Sequence, residues 1–254
     1  MYDSFSSDYD RFVNWSSRLS FELPFIEECL TAAEAVHILD AATGTGMHVI
    51  SLAQRGYRAS GADLSAGMIE HAQRNAEAAG VQANFRLAGF GDLGGAFYDE
   101  RPFDAILCLG NSLPHVLTPA ALATTLEDFA ICLRKTGLLL IQNRNFDAVM
   151  SDMQRWMEPQ EYREGGKEWM FIRFYDFRQD GLIDFNILTL TREAGGGWRQ
   201  RVSTTQLYPQ CKDELVEALN SAGFADITVY GGLNGAPFEK SRSGNLVITA
   251  RKRG

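Results

Sequence analysis

Hydrophobic and polar positions alternate along the first 145 residues in a way that predicts strands and helices in turn. Short apolar runs of strand length are separated by longer segments whose apolar residues recur every three or four positions, as in an amphipathic helix. The predicted strands lie at 36–40, 57–63, 83–88, 103–109 and 137–143. The predicted helices lie near 47–55, 65–79 and 118–134. This order is typical of an α/β domain with a doubly wound, mostly parallel sheet.

After residue 145 the alternation gives way to long β-forming segments. Three of them follow one another, at 168–178, 183–192 and 199–208. Asp180-Gly181 separates the first two, and Asp-Gly between strand-like segments is a hairpin signal. We therefore predict that 146–210 forms an antiparallel insertion, which would lie as a lid over the core.

The end of the chain returns to the pattern of the core. The elements predicted there are a helix at 211–222 and strands near 226–231 and 245–251. Because no linker-like run divides the chain, we predict a single domain. Its predicted parts are an N-terminal helical cap at 1–33, a core at 34–145 and 211–254, and the lid at 146–210.

Aromatic residues are concentrated in the first thirty positions. Those that share one face of a predicted helix are Phe5, Tyr9, Phe12 and Trp15. A second helix is predicted from Leu19 to Leu30. The spacing leaves two interpretations open: the helices pack on the sheet, or they fold over a ligand with Tyr9 and Arg18 directed inward.

Composition and charge limit the classes of partner. Of the 254 residues, 45% are hydrophobic and 22% are charged, and no run of about eighteen apolar residues offers a membrane span. The first residues are polar and do not resemble a signal peptide, so we expect a cytoplasmic protein without a membrane partner. The formal net charge of −8 would repel a phosphate backbone, so we expect no nucleic-acid partner.

The four cysteines lie far apart and include no Cys-x-x-Cys pair. This spacing argues against a zinc site or a disulfide framework. We therefore expect reduced cysteines that pack in the interior, and no bound metal. The sequence leaves the oligomeric state open.

The stretch from Val36 to Gly46 predicts a buried strand that runs into a glycine turn and then a helix. Its pattern is Asp40-x-x-x-Gly44-x-Gly46, in which the glycines let the backbone approach a ligand closely. The third glycine that dinucleotide folds use beside a pyrophosphate is missing, which favours a ligand without phosphates. One βα unit later Asp63 ends a strand, where a carboxylate can accept hydrogen bonds from ribose hydroxyls. A lone Gly-x-Gly is often an ordinary turn, so the argument depends on the two acidic residues together.

Two further predicted strands end in polar residues at the edge where ligands bind in open α/β sheets. Gly110-Asn111-Ser112 follows the fourth strand, and Arg144 follows the fifth. Asn111 and Ser112 could equally bond their own turn, and Arg144 could pair with an acid on the lid. A guanidinium at this edge is also what a small carboxylate substrate needs, because Arg binds a carboxylate through two parallel hydrogen bonds.

The motif from Asp40 to Gly46 resembles the first motif of the class I methyltransferases that use S-adenosylmethionine. Leu-Gly-Asn-Ser-Leu-Pro-His at 109–115 and Asn-Arg-Asn-Phe-Asp at 143–147 resemble more specifically the glycine N-methyltransferase and glycine/sarcosine N-methyltransferase family. This resemblance runs from roughly Tyr9 to Lys252. It implies a Rossmann-like seven-stranded sheet with an inserted antiparallel β lid. It also implies S-adenosylmethionine as cofactor, with S-adenosylhomocysteine as product.

The resemblance further implies roles for individual residues. The set implied at the cofactor is Tyr9, Trp15, Arg18, Asp40, Ala42, Gly44, Gly46, Asp63, Leu64, Met68, Gly89, Phe90, Leu109 and His115. Arg18 would hold the cofactor carboxylate, and Gly89 with Phe90 would lie at its adenine. The set implied for catalysis and acceptor binding is Asn111, Arg144, Tyr208 and His115. His115 and Tyr208 could accept a proton, or could equally be cofactor contacts.

These features predict an enzyme that methylates the nitrogen of a small amino acid or amine bearing a carboxylate. Two alternatives stay open: a methyltransferase of another small metabolite, through oxygen or a different nitrogen, and a non-catalytic cofactor-binding protein. Because a sulfonium methyl group is already electrophilic, the protein has mainly to align the acceptor with it. Such alignment can contribute about 7–11 kcal/mol, and no acid–base triad is expected.

Overall fold

The computed structural model describes residues 9–254 and contains two β-sheets. The strands are β1 (His37–Asp40), β2 (Arg58–Asp63), β3 (Asn84–Leu87), β4 (Phe103–Cys108), β5 (Leu133–Arg144), β6 (Gln160–Glu164), β7 (Lys167–Phe177), β8 (Ile183–Glu193), β9 (Arg199–Leu207), β10 (Phe224–Tyr230) and β11 (Asn245–Lys252). The α-helices after residue 14 are α1 (Trp15–Ala32), α2 (Met47–Ala53), α3 (Ala66–Ala78), α4 (Leu93–Ala96), α5 (Pro119–Cys132), α6 (Phe146–Asp152) and α7 (Lys212–Ser221), and a short 3-10 helix spans Leu113–His115.

The start of the predicted N-terminal cap, including Phe5, lies outside the described residues. Residues 9–12 are helical, and α1 follows them. Within the described part of the chain, no helix combines the length and the apolar character that a membrane span requires.

The core sheet has seven strands in the order β10-β11-β5-β4-β1-β2-β3. The strands β1 to β5 pair in parallel, whereas β11 lies antiparallel between β5 and β10. The strand order reverses between β1 and β4. In open α/β sheets, ligands bind at such a point, outside the carboxyl ends of the strands. The predicted Rossmann-like seven-stranded sheet is confirmed.

The central strands are buried on both faces by helices. All four residues of β1 are buried, and successive residues of β4 belong to different apolar clusters. Ile106 packs in one cluster and Leu107 in the other, because alternate side chains of a strand point to opposite faces. A strand buried in this way is a continuous apolar run in the sequence, which is why these strands could be predicted.

Polar caps set the starts of two helices. Helix α3 begins after Ser65, whose hydroxyl accepts the N–H of Met68 at 3.2 Å, as its sequence predicts. Helix α1 begins before the predicted Leu19, because Asn14 caps it. The side-chain oxygen of Asn14 accepts the N–H of Ser17 at 3.1 Å.

The boundary between α5 and β5 differs from the prediction. Helix α5 ends at Cys132 rather than near 134, and β5 begins at Leu133 rather than at 137. Leu133 pairs with Phe103 at the start of β4, and the register shifts before Leu138 pairs with Ala105. Pairing with a neighbouring strand therefore extends β5, and the pattern within one segment does not contain that information.

The second sheet has four antiparallel strands in the order β6-β7-β8-β9, and it is the predicted inserted β region. Strands β7 and β8 pair from Lys167 with Glu193 to Phe177 with Ile183. Gly181 in the connection between them has a φ of +84°, which glycine adopts without strain. Strand β6 and the short helices α4 and α6 were not predicted, because each is too short to show a periodic pattern.

Buried amides tie the end of this insert to the core. Nδ2 of Asn143 donates to Oε1 of Gln210 at 3.1 Å, and Nε2 of Gln210 donates to the carbonyl of Leu113 at 3.1 Å. The backbone N–H of Tyr208 donates to the carbonyl of Pro114 at 2.7 Å. The chain leaving β9 is therefore fixed against the segment that follows β4.

Helix α4 depends on a buried carboxylate of α5, and this contact can be tested. Asp128 accepts the N–H groups of Leu93 and Gly94, both at 2.8 Å. Such first-turn donors have no partner within their own helix. We expect Asp128→Ala to lower the free energy of unfolding by about 1–3 kcal/mol, because two buried donors lose their acceptor. Denaturant unfolding followed by circular dichroism measures this loss.

Glu127 is the matched control, because it lies on the exposed side of the same helix. Glu127→Ala should change the free energy of unfolding by less than about 0.5 kcal/mol. Equal losses in the two variants would contradict the role of Asp128.

Candidate active site

A cavity of about 460 Å³ opens at the carboxyl ends of the parallel strands, between the core sheet, α1 and the insert. A cavity of this volume is typical of a small-molecule site. The predicted site residues that line it are Tyr9, Arg18, Ala42, Gly44, Asp63, Leu64, Met68, Gly89, Phe90, Asn111, His115 and Arg144. Residues that are distant in sequence are brought together there because parallel strands end at the same edge of the sheet.

The other predicted site residues do not line the cavity. They are Trp15, Asp40, Gly46, Leu109 and Tyr208. The hydroxyl of Tyr208 instead donates to Glu214 in the first turn of α7. Nε1 of Trp15 donates to Oδ1 of Asp10 at 2.7 Å, and Leu109 is buried in the apolar core.

Gly46 and Asp40 act behind the cavity wall. Gly46 has a φ of +81°, and a Cβ there would lie 2.9 Å from Cβ of Ala72, so glycine lets the loop pack on α3. Asp40 is only 2% exposed, and its Oδ1 has no hydrogen-bond partner among the described residues. Burial raises the pKa of Asp40. A buried polar atom without a partner is costly, so Asp40 is not explained by packing alone.

Asp63 connects the glycine loop to α3. Its Oδ2 accepts the N–H of Gly44, and its Oδ1 accepts the N–H of Ser65, each at 2.9 Å. A carboxylate oxygen has more than one acceptor position, so each oxygen can take part in more than one hydrogen bond. The backbone thus fixes the carboxylate at the end of β2, where a ribose-binding acid is expected.

Leu64, Gly89 and Phe90 form an apolar part of the wall beside Asp63. Leu64 is 79% exposed, although it is a large hydrophobic residue. A Cβ at Gly89 would lie 3.1 Å from Cδ1 of Leu64, so glycine keeps the gap open. An exposed leucine beside such a gap fits a flat apolar ring, which is what adenine presents.

Arg18 reaches the cavity from α1 and is held by a buried network. Its Nε donates to Oε1 of Glu22 at 2.9 Å, and Oε2 of Glu22 lies 2.8 Å from Nε2 of His48. Burial acts to raise the pKa of Glu22, but the bond with His48 and the charge of Arg18 lower it overall, so Glu22 is ionised. A Cβ at Gly110 would lie 3.6 Å from Nη2 of Arg18, which places the guanidinium near the end of β4.

Asn111 is held at the cavity by its side-chain oxygen. This oxygen accepts the backbone N–H of Arg144 at 2.8 Å, and the backbone N–H of Asn111 donates to the carbonyl of Gln142 at 3.1 Å. Asn111 has a φ of +63° and follows Gly110 with a φ of +75°. These bonds hold the turn in an uncommon conformation and direct the amide nitrogen of Asn111 outward as a donor.

Arg144 does not pair with an acid on the insert, which was one interpretation of its sequence position. Its side chain donates from Nη2 to Oε1 of Gln154 at 3.3 Å and forms no ion pair with any residue from 9 to 254. Its guanidinium therefore lines the cavity with most of its donors available.

The insert supplies lining residues that the sequence analysis did not single out. These are Met157, Arg173, Tyr175, Phe185 and Ile187. Arg173 and Tyr175 are two positions apart on β7, so they lie on the same face of the strand. Trp169 and Phe171 precede them at the same spacing, and an arginine within such an aromatic face was a signal that could have identified Arg173.

Burial keeps two titratable side chains of the cavity, His115 and Tyr175, uncharged at neutral pH. Burial lowers the pKa of His115 to about 4, and burial raises the pKa of Tyr175 to about 12. Outside the cavity, the hydrogen bond to Glu214 raises the pKa of Tyr208 to about 12. Across residues 9–254, no three His, Cys, Asp or Glu side chains are grouped as a metal site would require.

Comparison with known proteins agrees with this geometry. Residues 38–137 match the family model described as a methyltransferase domain. The chain is 35% identical over 235 residues to the glycine/sarcosine N-methyltransferase of Halorhodospira halochloris, covering 90% of this chain and 80% of that protein. It is 28% identical over 234 residues to the glycine/sarcosine N-methyltransferase of Aphanothece halophytica, covering 90% of this chain and 81% of that protein.

The fold agrees as well. A solved structure of an S-adenosylmethionine-dependent methyltransferase from Clostridium acetobutylicum superposes with a TM-score of 0.79 at 16% identity, covering 100% of this chain and 99% of the other. The structural likeness supports the architecture, and the sequence identity extends over nearly all of the chain. The protein is therefore a methyltransferase that uses S-adenosylmethionine, and it belongs to the glycine/sarcosine N-methyltransferase family.

Proposed function

We propose that the enzyme transfers a methyl group to the nitrogen of a small amino acid or amine that carries a carboxylate. The observation that carries this proposal is the guanidinium of Arg144, which lines the cavity beside Asn111 and has no ion-pair partner among the described residues. Arg binds a carboxylate through two parallel bonds, and the Asn111 amide supplies a further donor. The two relatives, both called glycine/sarcosine N-methyltransferases, support an acceptor of this class.

The residues of the core fit S-adenosylmethionine. Asp63 would accept the ribose hydroxyls, Arg18 would hold the carboxylate of the methionine part, and Leu64 with Phe90 would contact the adenine ring. When bound, the cofactor supplies a methyl group on a positively charged sulfur, which is a strong electrophile. Gly44 allows the backbone to approach it closely, with a φ of +54°.

Among residues 9–254, the cavity offers no suitable general base for an amine. His115 has a pKa of about 4 and is a weak base, and Tyr175 stays protonated because its pKa is about 12. Glu22 is engaged by Arg18 and His48. The amine therefore has to bind in its neutral form, and nearby positive charge lowers the pKa of an ammonium group in favour of that form.

We further propose that the insert, at 146–210, acts as a lid. Tyr175, Phe185 and Ile187 present a largely apolar surface to the acceptor side of the cavity. Such a surface excludes water, and together with Asn111 and Arg144 it would align the nitrogen with the methyl group.

The amine panel is the direct test of the proposed reaction. Glycine, sarcosine, dimethylglycine, aspartate, glutamate and amines without a carboxylate are each supplied with S-adenosylmethionine, and release of S-adenosylhomocysteine is measured. We expect turnover only of amines that also carry a carboxylate. Turnover of amines regardless of a carboxylate, or of none of the panel, would refute the proposal.

Asp63 should contribute to cofactor binding. We expect Asp63→Ala to weaken the binding of S-adenosylmethionine by about 1–3 kcal/mol, because the ribose hydroxyls lose a charged acceptor. Calorimetry measures the affinity. Glu70→Ala, an exposed acid on α3, is the control and should bind normally. Unchanged affinity in Asp63→Ala would show that the ribose lies elsewhere.

Arg144 should contribute to the binding of the acceptor and not to the binding of the cofactor. Arg144→Lys keeps the charge but loses the planar fork, so we expect kcat/KM for the acceptor to fall at least about ten-fold. The affinity for S-adenosylmethionine should stay within about two-fold. Arg242→Lys, at a position 81% exposed in its side chain, is the control. Equal losses of turnover and of cofactor affinity would place Arg144 at the cofactor. A fully active Arg144→Ala variant would refute the proposal that the acceptor carries a carboxylate.

The pH dependence should reflect the amine and not an enzyme base. We expect kcat/KM to rise about ten-fold per pH unit from about pH 6 to 8, because the neutral fraction of the amine rises in that way. His115 gives no inflection in this range, since a pKa lowered to about 4 leaves it neutral throughout. Rates measured in overlapping buffers test this. An inflection near pH 6.5 that disappears in His115→Gln would identify His115 as a base after all.

A further inference from the structure

Arg173 is a cation on a face that is otherwise apolar. On β7, Phe171 and Tyr175 flank it on the same side of the strand, and both are buried. The guanidinium lies 4.9 Å from the ring centre of Phe12, which offers a cation–π contact. This contact offsets part of the cost of burial but supplies no acceptor for the buried Nε of Arg173.

No residue from 9 to 254 forms an ion pair with Arg173, and its buried Nε has no hydrogen-bond partner among them. Burial lowers the pKa of Arg173, and the positive charge of Arg144 acts in the same direction. Two other arginines of the insert show the paired arrangement: Arg155 with Asp176 at 2.6 Å, and Arg192 with Glu168 at 2.7 Å. An arginine kept for stability would be expected to resemble these two, since a buried unpaired charge is costly.

The acids that line the cavity do not compensate this charge. In the described part of the chain, these acids are Glu22 and Asp63. Glu22 is bound to Arg18 and His48, and Asp63 accepts two backbone N–H groups on the cofactor side. Two guanidinium groups, from Arg144 and Arg173, therefore line one cavity without a described acid of their own. A single carboxylate on the ligand would compensate only one of them.

We propose that the ligand of the acceptor side carries two anionic groups, one bound by Arg144 on the core and the second by Arg173 on the insert. This narrows the acceptor class of the proposed function, on which it rests, to an amine with two acidic groups, such as an acidic amino acid. Arg173 is then the residue that distinguishes such an acceptor from a monocarboxylate. Because Arg173 belongs to the insert and Arg144 to the core, a ligand bound by both would also hold the insert against the core.

The test uses ligands that cannot be methylated on nitrogen, so that it does not depend on turnover. The full chain is saturated with S-adenosylhomocysteine and titrated in a calorimeter with malonate, succinate and glutarate. Each is compared with its own monoamide, which keeps the shape and removes one charge. We expect at least one dicarboxylate to bind at least about ten-fold more tightly than its monoamide.

Arg173→Met should abolish this preference by weakening the binding of the dicarboxylate, while the affinity for the monoamide stays within about two-fold. Arg173→Gln is a second neutral variant in case the first fails to bind S-adenosylhomocysteine. Arg163→Met removes an exposed arginine of β6, whose side chain is 67% exposed, and should retain the full preference.

Equal affinities for every dicarboxylate and its monoamide in the unmodified protein would overturn the inference. A preference that persists in a neutral Arg173 variant that still binds S-adenosylhomocysteine would also overturn it. The amine panel remains a separate result: a dicarboxylate preference without any amine turnover supports the charge of the ligand and refutes only the proposed reaction.

Discussion

The carboxylate of Asp63 is the contact that joins the fold to the cofactor side of the cavity. It accepts one N–H from the glycine loop after β1 and one from the residue that caps α3. The loop, the end of β2 and the start of α3 are thus held together by two hydrogen bonds at 2.9 Å. Because these bonds fix the carboxylate before any ligand arrives, its orientation is already set, which reduces the entropy lost on binding.

The two sides of the cavity differ in how their charges are balanced. On the cofactor side, Arg18, Glu22 and His48 form a network in which each charge has a partner. On the acceptor side, Arg144 and Arg173 have no acid among the described residues. The first arrangement suits a ligand with charges of both signs, and the second attracts anions. The same physical rule, that buried charge requires compensation, therefore separates the two sides.

The core and most of its cavity residues could be predicted from the sequence, because both depend on local patterns. Buried parallel strands are apolar runs, and polar residues such as Asp63 and Asn111 mark their ends. The insert was predicted as three strands, but the residues that it places in the cavity were not. Which face of β7 points into the cavity depends on how the insert packs on the core. The spacing of Trp169, Phe171 and Arg173 was the one sequence signal for that face.

Tyr208 was assigned to the cavity from the sequence but does not line it in the structure. Its position after the last strand of the insert made a role in the cavity plausible, and the resemblance implied one. In the structure its hydroxyl meets Glu214, six residues later, in the first turn of the next helix. A sequence motif specifies the residue type, whereas the direction of a side chain at the end of a strand depends on the partner that happens to lie nearest.

The position of the insert in the chain has a consequence for how this enzyme can change its acceptor. The polar residues assigned to the cofactor all precede the insert, whereas Arg173, Tyr175 and Phe185 lie within it. Substitutions in β7 and β8 can therefore alter the shape and charge that an acceptor meets while the cofactor side stays intact. Changes confined to one contiguous segment, at 146–210, can therefore alter which acceptor is methylated while the residues assigned to the cofactor stay the same.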